Sequence, residues 1–203
     1  SNNKVHIKKG FMKYKDLQKF LKKLGKRYDM KELPLVMHFR ITTHGGTKPQ
    51  NCHPFPVVKK ISKLQALEFC TDLGVAHNGC IKIDNPPEIS DTMAYISKRL
   101  SKIRTQNGAF YRNDDILKEI EKEITSKMCF LDARGNLSFV GDFVEEDGVY
   151  YSNYSYMGYG RYAVYYDWGS RNKNKYAYNW SGVSHGGTAW DDWEDWDDER
   201  YWS

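Results

Sequence analysis

The sequence predicts an α+β domain of short antiparallel strands and three helices, followed by an irregular aromatic tail. Apolar residues recur at three- and four-residue spacing in three separate segments, the periodicity of half-buried helices. Between and after them, β-capable runs flank the turn pairs Asn78-Gly79, Gly135-Asn136 and Asp147-Gly148. Beyond Asn153 both patterns stop.

Val5 and Ile7 alternate with polar residues in a strand over Lys4–Lys8 that enters a turn at Gly10. Leu17, Phe20, Leu21 and Leu24 form one helical stripe, lysines fill the opposite side, and Gly25 ends the helix. Leu35–Ile41 is apolar apart from His38 and Arg40 and predicts a buried strand. Two glycines and three prolines make Thr42–Pro56 a loop. Lys59–Phe69 is ambiguous between strand and short helix. Gly74–His77 reads as a strand, and Cys80–Ile83 as its return across the Asn78-Gly79 turn.

Pro86 and Pro87 close that loop, and Ser90 is placed to cap a helix with Asp91 in its first turn and Met93, Ile96 and Leu100 along one face. A further helix spans Asn113–Ser126, with Ile116, Ile120 and Ile124 four apart. Two hairpins follow, Met128–Leu131 with Leu137–Val140, then Asp142–Glu145 with Val149–Ser152.

At 203 residues, 40% hydrophobic and 28% charged, the chain suits one domain with a tail and excludes collagen, coiled coil and wholesale disorder. No apolar run approaches the roughly 20 residues that cross a bilayer, so a cytoplasmic location without a membrane partner is expected. Four cysteines without regular spacing predict reduced thiols, with Cys70 and Cys129 as core fillers. Residues 1–31 carry ten lysines and Arg27 against Asp16 and Asp29, whereas the last fourteen residues carry seven acids against Arg200. Lysines on the wet face of a helix account for the basic end, and nucleic acid is not the expected partner.

Three segments concentrate the unusual residues: His38-Phe-Arg-Ile-Thr-Thr-His-Gly45, Asn51-Cys-His-Pro54 with Ala76-His-Asn-Gly79, and Ser90-Asp-Thr92. Their chemistry is complementary. Arg40 offers a two-pronged grip on a carboxylate, Asp91 an acceptor for an ammonium group, and Asn78 with the Gly79 amide two donors toward one oxygen. An amino acid carries both charged ends, and a tetrahedral intermediate at its side-chain amide carries such an oxygen. His38, His44, Cys52, His53, Cys70, His77 and Cys80 lack a zinc-knuckle spacing, so no metal and no cofactor is expected.

These strings, in this order, resemble the class II glutamine amidotransferases, in particular the small bacteriophage-encoded branch. The resemblance covers roughly residues 4 to 156 and includes Val140–Phe143 and Tyr150–Ser155. It implies the N-terminal-nucleophile hydrolase fold, a four-layer αββα sandwich, and hydrolysis of glutamine to glutamate with ammonia passed to an acceptor. It implies that Arg40 binds the α-carboxylate and Asp91 the α-amino group, with Thr43, His44 and Gly45 shaping the pocket wall. Asn78 and Gly79 would form the oxyanion hole, and His53 and His77 would support loops.

One departure is large. The family's nucleophile is a cysteine at the mature N-terminus, on a strand that precedes the one matching Lys4–Lys8, and none of the 203 residues matches it. Ser1 aligns with a turn, Cys52 lies within a family motif and Cys80 stands where the family has an aliphatic residue. The expectation is therefore a sandwich without its N-terminal strands, inactive alone and completed by an N-terminal fragment or a partner protein at the exposed sheet edge. The alternative is a catalytically dead scaffold serving as a phage structural or host-interaction protein through its aromatic and acidic tail.

The domain boundary is expected near 156, giving a domain over 1–156 and a tail over 157–203. The tail is rich in tyrosine and glycine and ends in tryptophans among acids. It is read either as a flexible appendage packed loosely on the domain or as a segment that docks to a basic, grooved protein partner or mimics nucleic acid by charge and stacking, in the host cytoplasm or in a virion.

Overall fold

The computed structural model describes residues 4–39 and 48–154 and has a mixed α+β architecture with three antiparallel sheets. The chain divides into units 1–153 and 154–203. All the elements below belong to the first unit, and the tail lies outside the described residues.

Strand β1 (Val5–Lys8) pairs with β3 (Glu68–Thr71) as a two-stranded ribbon, His6 opposite Cys70. The chain bends at Asp72 into β4 (Leu73–Asn78), so one nearly continuous run serves two sheets. In the larger sheet β4 lies between β2 (Phe55–Pro56) and β5 (Lys127–Asp132), and β6 (Leu137–Val140) completes the order β2-β4-β5-β6. A last hairpin pairs β7 (Val144–Glu146) with β8 (Val149–Tyr151).

Helix α1 (Tyr14–Gly25) forms where the stripe predicts, but none of its residues is fully buried. The ambiguous stretch resolves into a single turn, α2 (Ile61–Leu64), followed by β3. Ser90 caps α3 (Asp91–Tyr95) by accepting from the Met93 amide at 3.2 Å. That helix continues through a π-helical turn, Ile96–Leu100, into α4 (Ser101–Gln106). Asn113 caps α5 (Asp114–Ile124) by accepting from the Asp115 and Ile116 amides.

The core lies between these helices and one face of the four-stranded sheet. Val75, Met128 and Phe130 meet Met93, Ile96, Leu100, Ile120 and Ile124, and Phe110 stands edge-on to Phe130 at 5.5 Å. Each of these side chains contributes about 1.5–3 kcal/mol by leaving water.

Three expectations fail. Residues 35–39 form no strand, and Leu35, Met37 and Phe39 are 37%, 54% and 69% exposed. Burial still alternates, with Val36 and His38 turned inward, but among the described residues no neighbouring strand pairs with the segment, and an unpaired strand does not satisfy its backbone. Cys80–Ile83 does not return along β4, because β2 and β5 already occupy both of its edges. Cys70 is exposed, since its position in the β1–β3 ribbon faces outward, whereas Cys129 is buried.

The β5–β6 turn is organised by Asp132, which is 3% exposed. Its carboxylate accepts from the Arg134 and Asn136 amides at 2.8 and 2.9 Å, from the Asn136 side chain, from Tyr111 and from Arg112. Burial alone would raise its pKa, but these donors together hold the carboxyl well below the usual range. Gly135, at φ +86°, completes the turn, where a Cβ would lie 2.8 Å from the Pro34 ring. Asp132→Ala should cost about 2–3 kcal/mol in urea melts near neutral pH. Because the folded state lowers this pKa, the stabilisation is complete above about pH 4 and drains away below it, so the gap between variant and wild type should close in acid.

Candidate functional site

Strand β4 delivers His77 and Asn78 to opposite faces of the sheet at its C-terminal end. On the helix side His77 is 2% exposed and bridges two hydroxyls: Nδ1 lies 2.9 Å from Thr92 Oγ1 and Nε2 lies 2.8 Å from Ser126 Oγ. Thr92, the second residue of α3, also lies 3.3 Å from His53 Nε2 and donates to Asp91 Oδ1 at 3.3 Å. The His53 ring packs 4.3 Å from His38, which leads toward the loop of the first motif.

Asp91 closes the arrangement. Its Oδ1 also accepts from the Thr92 amide at 2.7 Å, and Oδ2 accepts from the Ile81 amide at 2.6 Å. The carboxylate thus sits in the first turn of α3, where the helix dipole favours it, and fastens the segment leaving Gly79. Of about four lone-pair positions it uses three, leaving one for an ammonium donor.

Asn78 Nδ2 donates to Ser152 Oγ at 2.7 Å, just beyond β8, which ties one of its two N–H bonds and leaves the other. Gly79 adopts φ +135°, and a Cβ there would lie 2.6 Å from Ser126 Cβ. Both the backbone conformation and the close approach require glycine.

Asn78, Gly79 and Asp91 are therefore joined through His77, Thr92 and Ile81. Arg40, Thr43, His44 and Gly45 lie outside the described residues. Among the described residues no group of three or more His, Cys, Asp or Glu side chains could hold a metal ion, and no helix is long and apolar enough to cross a membrane.

Sequence reasoning misses Thr92 as a junction and Ser126 and Ser152 as partners, since isolated hydroxyl residues carry no spacing signal. It also misses Lys9. This lysine is 4% exposed, donates to the Gln50 and Leu64 carbonyls at 2.9 and 2.7 Å, and lies 3.9 Å from the centre of the Phe55 ring. Burial lowers its pKa to about 7, and it pins the loop of the second motif to β1.

Compared with protein-family models, curated proteins and solved structures, the chain matches none.

Burial also lowers His77 to about 4, with His38 pushing the same way and Asp91 opposing. The imidazole is therefore neutral near pH 7. Because its folded pKa lies below the unfolded value of about 6.5, its contribution to stability is complete above that pH and declines toward pH 4. An NMR titration should find the His77 ring signals unchanged from about pH 8 to pH 5. A His77 midpoint near 6.5 would contradict the burial and bonding described.

Proposed function

We propose that residues 4–156 are the glutamine-binding part of a class II-type glutamine amidotransferase, a bacteriophage-type glutaminase domain. The observation that carries this reading is the linkage of the Asn78-Gly79 turn to Asp91 through the buried His77–Thr92 pair and the Ile81 amide. Two residue groups about a dozen positions apart in sequence, one suited to an oxyanion and the other to an ammonium group, are joined in one hydrogen-bonded frame. On this proposal the antiparallel sheets and covering helices belong to a four-layer N-terminal-nucleophile sandwich. Arg40 takes the α-carboxylate, and Thr43, His44 and Gly45 line the pocket.

The chemistry divides between binding and attack. Asn78 and Gly79 would stabilise the tetrahedral oxygen formed at the substrate amide, and Asp91 and Arg40 would orient its amino-acid end. The attacking cysteine of the resemblance has no counterpart among the 203 residues and would come from another segment or chain.

A second reading, a catalytically dead scaffold for phage assembly or host interaction, draws support from the exposed apolar side chains Leu35, Met37 and Phe39.

Calorimetry separates the readings. The first expects weak glutamine or glutamate binding, reduced about tenfold in Arg40→Lys because a point charge cannot reproduce a bidentate grip. Equal affinity of wild type and Arg40→Lys would remove Arg40 from the site, and absence of binding would favour the scaffold. Purified chain that releases glutamate from glutamine would contradict the division between binding and attack.

A further inference from the structure

Ser126, His77, Thr92 and Asp91 form one continuous line of side chains. The successive separations are 2.8, 2.9 and 3.3 Å. Its polarity is set at the Asp91 end, because a carboxylate only accepts. With Thr92 Oγ1–H donating to Asp91, the Thr92 oxygen accepts from His77 Nδ1–H and, at 3.3 Å, from His53 Nε2–H, and His77 Nε2 is left as an acceptor facing the Ser126 hydroxyl. That is the polarity required of a base beside a nucleophilic hydroxyl.

The far end of the line borders a surface cleft. Ser126 is half-buried and lines a surface cleft of about 570 Å³ together with Lys118, Lys122, Lys127 and the acids Glu121 and Asp142. The Ser126 hydroxyl has a second acceptor, the Ile124 carbonyl, at the longer distance of 3.1 Å. His77 is 2% exposed, and Thr92 occupies its other nitrogen. His53 lies beside it, ring centres 6.3 Å apart, and His38 lies 4.3 Å from His53.

We propose that Ser126 is the nucleophile of an acyl-transfer site, activated by His77 and oriented through Thr92 and Asp91, that accepts activated esters or thioesters carrying an anionic group. The site opens toward α5 and β5, on the opposite side of β4 from the Asn78 carboxamide, and it goes beyond the glutamine reading without requiring it. Ser126 Oγ bonds to the carbonyl carbon while its proton passes to His77 Nε2. The tetrahedral oxyanion then collapses, the bond to the alkoxide or thiolate breaks, and that leaving group takes the proton from His77. Water repeats the sequence on the acyl-serine and releases the acid. Three cleft lysines against Glu121 and Asp142 leave a small net positive charge, which favours an acyl group that bears a carboxylate or phosphate.

The test uses the full 203-residue chain with mono-4-nitrophenyl succinate and 4-nitrophenyl acetate, following nitrophenolate release and locating the acyl group by peptide mapping. The expected result is acylation of Ser126, absent in Ser126→Ala and slowed about 100-fold in His77→Gln. The succinate ester should react faster than the acetate at low salt, with that advantage lost at high salt. The rate should stay level from about pH 5 to about pH 8, because His77 is neutral throughout. If His77→Gln fails to fold, Thr92→Val replaces it, with a roughly tenfold loss expected from the misdirected imidazole. Acyl groups confined to lysines or cysteines, unchanged Ser126 acylation in the folded variant, or a rate rising roughly tenfold per pH unit as for hydroxide attack would each overturn the proposal.

Discussion

The hydroxyl of Thr92 is the point on which the site depends. It is buried where the start of α3, the end of β4 and the loop before β2 converge, and His53, His77 and Asp91 all reach it. A buried hydroxyl or imidazole left without a partner costs about 1–3 kcal/mol, so each member holds the others in place. Hydrophobic packing of Met93 and Ile96 against Val75 and Phe130 brings the helix to the sheet, but packing alone is tolerant of small shifts. The polar junction makes the docking specific.

The junction acts on both sides of β4. Toward the helices, burial keeps His77 neutral, and its two nitrogens are divided between two hydroxyls, Thr92 and Ser126. On the other side, the Asn78 side chain and the glycine turn leave the strand in an orientation fixed by Ser152 and by the Ile81–Asp91 bond. Lys9 holds the loop that carries His53 in a similar way, by filling two carbonyl acceptors at once.

Local signals are legible in the sequence, and signals that depend on distant partners are not. The Ser90 cap, the helix at Asn113 and the turn at Gly135 are decided within a few residues, and each appears where the residues imply. Leu35–Ile41 has strand-like composition, yet a strand needs a neighbour, and residues 35–39 have none in the described structure. Asn78-Gly79 points to a hairpin ending in Cys80–Ile83, but pairing of β4 with β2 and β5 is a property of the whole sheet. The same division applies to the site. Asn78, Gly79 and Asp91 stand out by their strings, whereas Ser126 lies 49 residues from His77 and becomes visible only when β5 aligns beside β4.

Amide hydrogen exchange in Thr92→Val tests the junction most directly, because valine keeps the shape and removes the hydroxyl. Loss of the junction should free Asp91, so the Ile81 amide should exchange at least about tenfold faster while the Phe130 amide within the sheet keeps its protection. Unchanged protection at Ile81 would show that the helix and strand are held by packing alone. Equal loss at Ile81 and Phe130 would show that the hydroxyl supports the whole domain and not the site in particular.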